Sequence, residues 1–166
     1  MVLTYGRIVP SGTNQEGSAA PNKGLDTYYN LFFRGNRLYS ELAKLLGESV
    51  QTLFLMRLLL GEDEGLCQSE ICESLSVPKQ TMSRILKELE KSCYVEQTPS
   101  SRDGRDKIFS LTEKGKKHAS KVMARLNEIE EACIANASGS LDATNEFNQQ
   151  YLEALEQCID HERKGQ

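Results

Sequence analysis

The stretch from Leu66 to Gly115 constrains the fold more than any other part of this 166-residue chain. It carries two changes of hydrophobic period, from helical to alternating and back to helical. In order, the stretch predicts helices over 68–75 and 78–91, strands over 94–98 and 107–111, and a third helix capped by Thr112. An Asp-Gly turn within Arg102–Arg105 closes the two strands. This succession predicts a mainly α fold with a small β-hairpin.

The second of these helices has two distinct faces. Pro78 suits its first position, because that amide has no partner inside the helix. Its apolar residues recur at helical spacing and form a stripe that we expect to be buried: Met82, Ile85, Leu86 and Leu89. The opposite side is polar, so one face packs on the core and the other is left to contact a partner.

Helices are also predicted on both sides of this region. Asp26 or Thr27 caps a helix to about Leu46, Gly47 ends it, and Ser49 caps a second, almost wholly apolar helix to Leu60. After Thr112 a long helix has apolar residues three and four apart, Ser138–Ser140 breaks it, and a last helix reaches about His161. We therefore expect a flexible arm (1–24), N-terminal core helices (25–60), a helix-turn-helix with its hairpin wing (61–112) and C-terminal helices with a seam for another helix (113–166).

Charge is divided unevenly along the chain. The net charge is −4, yet residues 79–121 hold eleven Lys or Arg against six Asp or Glu, a net of +5. The remainder holds nine basic and eighteen acidic residues, a net of −9. A basic segment on an acidic body is the pattern expected of a nucleic-acid-contacting face.

The residues of this basic segment suit duplex DNA. A major groove accepts short side chains that donate and accept hydrogen bonds at base edges, and long cations that contact bases or phosphates. The predicted contacts on the helix are Lys79, Gln80, Thr81, Ser83, Arg84 and Lys87. At the hairpin tip Arg102 and Arg105 suit a narrow minor groove, and Asp103 is expected to pair with a nearby arginine and stiffen the tip.

The chain resembles the MarR (multiple antibiotic resistance regulator) family of winged-helix regulators. The resemblance rests on residues 68–95, on Asp103 and Arg105 followed after five residues by Leu111-Thr112, and on Thr112 to Gly115. It implies a homodimer with interlocking first and last helices, in which the N-terminal helices (25–60) and the C-terminal helices (113–166) form a dimerisation domain, and a pseudo-palindromic operator. It also implies that helix 78–91 contacts bases and that Arg105 enters the minor groove. Members commonly repress nearby genes and release DNA when a small, often aromatic, effector or an oxidant arrives.

The sequence departs from the family pattern at three positions. Cys67 lies where a Thr or Ser usually caps the third helix, and Ser76 and Cys93 stand where glycine is common at turns. Either those turns differ here or Cys93 tolerates a strained backbone. The five cysteines include no C-x-x-C pair, and we expect them to be buried, reduced thiols. The alternative is a redox switch using Cys67 and Cys93, which flank the predicted DNA-contacting helix.

Other functional classes have little support. The two histidines and the absence of a nucleophile triad or phosphate-binding glycine loop argue against a metal site, a cofactor and an enzyme. The longest apolar run is far short of a membrane span of ~20 residues and no secretory signal is visible, so a cytoplasmic location is expected. Four aromatic residues of the first helix have two interpretations: they line an effector pocket, or they serve only core and dimer packing. They are Tyr28, Tyr29, Phe32 and Phe33. A winged helix used for protein–protein contact is the remaining alternative to DNA binding.

Overall fold

The computed structural model describes residues 22–99 and 107–165, which form six helices and one small sheet. In chain order the elements are α1 (Lys23–Leu45), α2 (Val50–Leu60), β1 (Leu66–Cys67), α3 (Gln68–Leu75), α4 (Lys79–Lys91), β2 (Val95–Pro99), β3 (Lys107–Leu111), α5 (Glu113–Asn136) and α6 (Leu141–Lys164). The mainly α fold with a winged helix-turn-helix is confirmed. Residues 1–21 of the predicted flexible arm lie outside the described residues. The chain divides into two compact units, Met1–Leu53 and Phe54–Gln166.

In the first unit, α1 begins earlier than predicted. Its cap is Asn22, whose side chain accepts hydrogen bonds from the amides of Gly24 and Leu25 at 3.0 and 3.3 Å. The predicted cap at Asp26 or Thr27 is therefore wrong, because an earlier side chain already satisfies the orphan amides. The predicted end is confirmed, since Gly47 adopts φ +85° immediately after α1.

The helix α2 starts as predicted, with Ser49 Oγ accepting a hydrogen bond from the Thr52 amide at 3.1 Å. Its apolar composition agrees with its burial: Leu53, Leu55, Met56 and Leu59 are all buried. This burial shows that α2 contributes core residues, as its apolar sequence predicts.

The sheet has three strands rather than the two predicted, in the order β1-β3-β2. The strand β1 was missed because two residues carry no periodic signal; Leu66 pairs with Phe109 and Cys67 with Ile108. Gly65 precedes β1 with φ +73°, and a Cβ there would collide with the Phe109 carbonyl oxygen. The hairpin itself pairs Val95 with Leu111 through to Pro99 with Lys107, so residues 100–106 connect its strands.

The C-terminal helices differ in burial along their length. Thr112 caps α5 as predicted, its Oγ1 accepting from the Gly115 amide at 3.0 Å. The first half of α5 is packed through Ala119, Val122, Met123 and Leu126, whereas residues 131–136 are exposed. Ser140 then caps α6, which ends at Lys164 rather than near His161 and has no buried residue. Across residues 22–99 and 107–165, none of the helices has both the length and the apolar character to cross a membrane.

Candidate nucleic-acid interface

The helix α4 presents the two faces expected from its sequence. Met82, Ile85, Leu86 and Leu89 are buried, which confirms the apolar stripe. Pro78 is the residue before the helix rather than its first residue, with φ −57° and ψ 139°. The correction is one residue: the Pro78 carbonyl accepts the first α4 hydrogen bond, from the Met82 amide at 3.0 Å.

All of the predicted DNA-contacting side chains of α4 except Thr81 lie together on the other face. Lys79, Gln80, Arg84 and Lys87 are exposed, and Thr81 and Ser83 are half-buried. Five of these six residues line one open depression of about 570 Å³, which Gln68 of α3 also lines. Its lining includes three cationic side chains, those of Lys79, Arg84 and Lys87. This depression, which we call the α4 groove, can receive a polyanionic edge and offers amide and hydroxyl groups to it.

Gln68 was not among the predicted site residues. Its Nε2 donates a hydrogen bond to the Lys79 carbonyl oxygen at 2.9 Å, so the first turn of α3 is joined to the first residue of α4. A lone polar residue in a helix N-terminus gives no sequence signal for such a bond. Only the three-dimensional crossing of α3 and α4 reveals it.

Both of the predicted glycine-like turns exist, although neither residue is glycine. Ser76 has φ 50° and Cys93 has φ 57°, both in the left-handed region. After α3, the Val77 amide bonds to Cys72 O and the Ser76 amide to Glu73 O; after α4, the Tyr94 amide bonds to Leu89 O and the Cys93 amide to Glu90 O. Both pairs form the Schellman pattern that ends helices. The turns are therefore unaltered, and Ser76 and Cys93 tolerate the strain.

A compact junction fastens the end of α4 to the start of α5. Thr112 Oγ1 donates to Cys93 O at 2.7 Å, and Lys114 Nζ donates to Ser92 O at 2.7 Å. The Lys114 ammonium lies 4.7 Å from the centroid of the Tyr94 ring. That ring also stacks on His118 with centroids 4.5 Å apart. We call these residues the α4–α5 junction. It fixes the base of the wing, which is the hairpin of β2 and β3, to both helices.

The wing is described only in part. Its strands β2 and β3 have outward-facing polar residues, and Val95, Phe109 and Leu111 face the core. The hairpin tip lies outside the described residues. It includes the predicted DNA contacts Arg102 and Arg105 and the predicted stiffening carboxylate of Asp103. Their roles remain predictions.

The prediction that the cysteines are buried is wrong. Cys93 and Cys133 are exposed, and Cys67, Cys72 and Cys158 are half-buried; all five are free thiols. Cys93 is turned out because its left-handed backbone ends α4 at the surface, and Cys67 is the residue that precedes α3. Within the described ranges, no group of three His, Cys, Asp or Glu side chains is placed to hold a metal ion.

The first and last helices expose large apolar side chains. On α6 the exposed fractions are 59% for Phe147, 51% for Leu152 and 42% for both Leu155 and Ile159. On α1 the four aromatic residues weighed as pocket lining are Tyr28, Tyr29, Phe32 and Phe33; Tyr28 is half-buried and the other three are exposed. Apolar area of this kind is characteristic of a protein interface.

Comparison with known proteins gives a family match over the region that contains α4. Residues 41–106, from the end of α1 to the residue before β3, match the sequence model of the MarR family. Among curated proteins, no relative matches this chain.

Several solved structures share the fold. The Staphylococcus aureus MepR–DNA complex aligns with a TM-score of 0.63 at 19% identity, covering 78% of this chain and 97% of that one. BldR from Sulfolobus solfataricus aligns at 0.66 and 14% identity, covering 79% and 94%. Reduced AbfR bound to DNA aligns at 0.62 and 22% identity, covering 83% and 93%. At these identities the likeness shows the winged-helix fold.

Proposed function

We propose that this chain, whose residues 41–106 match the MarR family model, is a transcriptional regulator of that family that binds duplex DNA as a homodimer and represses nearby genes. The observation that carries the proposal is the α4 groove, where base-compatible and cationic side chains lie together above a buried apolar stripe. The MarR family consists of DNA-binding regulators, and we propose that this chain acts in the same way rather than as an enzyme. We place its action in the cytoplasm.

The groove suits direct contact with base edges. Gln80 and Ser83 are short enough to approach the floor of a DNA major groove, while Lys79, Arg84 and Lys87 are long enough to reach bases or flanking phosphates. Thr81 does not line the α4 groove, and its proposed contact with DNA rests on its position in the first turn of α4. Two of the fold's structural neighbours, MepR and AbfR, are seen in complexes with DNA. We infer the same use of the groove here, with Arg102 and Arg105 of the wing tip in the adjacent minor groove and Asp103 stiffening that tip.

A homodimer fits the exposed apolar residues of α1 and α6. We propose that residues 25–60 and 113–166 supply the dimer interface and that residues 61–112 contact DNA. A two-fold dimer presents two copies of α4, and their half-sites would lie about one helical turn, ~34–36 Å, apart. The operator would therefore be a pseudo-palindrome.

Release of DNA is proposed to follow binding of a small aromatic effector, with Tyr28, Tyr29, Phe32 and Phe33 of α1 as candidate contacts. The second candidate is a thiol switch, favoured by the exposure of Cys93 and the partial exposure of Cys67. A thiol must reach solvent to react with an oxidant. Peroxide that lowers DNA affinity in the wild type, but not in Cys67→Ser or Cys93→Ser, would support the switch, and an unresponsive wild type would contradict it.

Selection of duplexes from a random pool tests DNA recognition. We expect the purified protein to enrich a pseudo-palindrome, and Gln80→Ala to change the enriched bases by removing one base-edge contact, about 1–3 kcal/mol of discrimination. Arg105→Ala should weaken binding several-fold through loss of the wing contact without changing the oligomeric state. A pool that stays random after selection would contradict sequence-specific binding, and unchanged affinity of Arg105→Ala would contradict the role of the wing.

A further inference from the structure

Gln68 links the two helices of the helix-turn-helix at their N-termini. Its side-chain amide donates to the carbonyl oxygen of Lys79, eleven residues along the chain, at 2.9 Å. Lys79 is the first residue of α4, and Gln68 is the first residue of α3. The bond therefore acts on the end of α4 that carries Lys79, Gln80 and Ser83 into the α4 groove.

The start of α4 needs such a link. The side chain of its preceding residue, Pro78, has no hydrogen-bonding atom, so it cannot cap the helix. Lys79 and Gln80 are exposed, and the buried stripe begins only at Met82. Apolar packing thus holds α4 from Met82 onward, whereas Lys79 and Gln80 precede that packing.

Gln68 is itself held in place. The Cys67 amide donates to the Glu70 carboxylate at 2.7 Å, which closes the first turn of α3. Ile71 is fully buried one turn further on, and the Schellman turn at Ser76 ends the helix. Because α3 is fixed at both ends, the backbone of the half-buried Gln68 is restrained, and its hydrogen bond restrains the start of α4.

We propose that Gln68 is a positioning residue that sets the orientation of the first turn of α4 and thereby the discrimination between DNA sequences. This inference rests on the proposed function. Base-edge contacts by short side chains require placement within about 0.5 Å, whereas long, flexible lysines reach phosphates from a range of positions. A loosened first turn consequently costs sequence discrimination before it costs electrostatic attraction.

The test compares the wild type with Gln68→Met, which has a similar length but no donor. We expect affinity for the selected duplex to fall about 3–10-fold, the effect of one lost hydrogen bond. Affinity for a scrambled duplex and the salt dependence of binding should stay unchanged, because no phosphate contact is removed. Gln68→Glu places an acceptor against the Lys79 carbonyl and should lose more discrimination than Gln68→Met. It also keeps a polar side chain should Gln68→Met fail to fold.

Gln149→Met is the matched control. Gln149 is an exposed residue of α6 whose amide bonds within its own helix, to Glu153 at 3.1 Å, so this variant should discriminate like the wild type. Equal loss of affinity for both duplexes in Gln68→Met, or undiminished discrimination in both Gln68→Met and Gln68→Glu, would overturn the positioning role. Failure of the wild type to bind either duplex would instead contradict the proposed function.

Discussion

At the scale of single residues, two turns are built with unfavourable residue types. Ser76 and Cys93 end α3 and α4 in a left-handed conformation, with φ of 50° and 57°. An L-residue with a Cβ is strained there, by roughly 1–3 kcal/mol, whereas glycine adopts the conformation freely. Gly47 shows the unstrained version of the same turn after α1. Both strained residues flank α4, so the helix that forms the groove is bounded by stored strain.

Relief of that strain is measurable at Cys93. We expect Cys93→Gly to raise the free energy of unfolding by about 1 kcal/mol, the strain removed less the extra freedom of glycine in the unfolded chain. Urea denaturation gives the difference. Cys93→Ala is the control, because it removes the same exposed thiol and keeps the Cβ. A glycine variant no more stable than the alanine variant would show that the turn is unstrained.

At the scale of elements, the α4–α5 junction depends on a close approach of two backbones. The first turn of α5 packs against Tyr94 so tightly that a Cβ on Gly115 would overlap the Tyr94 carbonyl oxygen. Thr112 and Lys114 bond to the carbonyls of Cys93 and Ser92 on the same side. These contacts explain the Thr-Glu-Lys-Gly segment physically. Thr112 caps α5, Lys114 donates a hydrogen bond to a carbonyl at the end of α4, and Gly115 leaves room for the close backbone contact.

Gly115→Ala should therefore separate α5 from the end of α4. We expect a loss of about 1–3 kcal/mol in the free energy of unfolding, the usual effect of overpacking, despite the higher helix propensity of alanine. Gly139→Ala is the control, because nothing lies within 4 Å of a Cβ at that position. Thermal unfolding of the two variants gives the comparison, and a Gly115→Ala protein as stable as the control would contradict the close packing.

Elements with a local signal were predictable from the sequence, and those defined by tertiary contact were not. The stripe from Met82 to Leu89 has a helical period, and Ser49 and Thr112 are strong caps, so α2, α4 and α5 were placed correctly. The strand β1 exists only because it pairs with β3, and the bond from Gln68 to Lys79 only because α3 and α4 cross. The burial of the cysteines was mispredicted, because composition does not show that Cys93 ends a helix at the surface.

At the scale of the whole molecule, charge and apolar surface are separated along the chain. The basic excess lies in residues 79–121, which include α4, the wing and the start of α5. Large exposed apolar residues lie on α1 and α6 instead. This separation fits a protein that contacts a polyanion through one region and a second copy of itself through others.

The proposed dimer has a testable contact on α6. Leu155→Glu places a charge among exposed apolar residues, and we expect it to raise the dimer dissociation constant at least tenfold because that charge must be desolvated on association. Gln149→Glu adds the same charge at an exposed position on the polar side of α6 and should leave the dimer intact. Sedimentation of both variants over a range of concentrations measures the effect. Equal dissociation constants would argue against an interface at Leu155.

The salt dependence of DNA affinity tests the central proposal most directly. If the α4 groove and the wing tip bind DNA, each neutralised phosphate releases a counterion. The logarithm of the association constant for the selected duplex should then fall linearly with the logarithm of salt concentration, with a slope of roughly −4 to −9 for a dimer. A slope near zero, or no binding at low salt, would contradict DNA recognition by this surface and favour a winged helix that contacts protein.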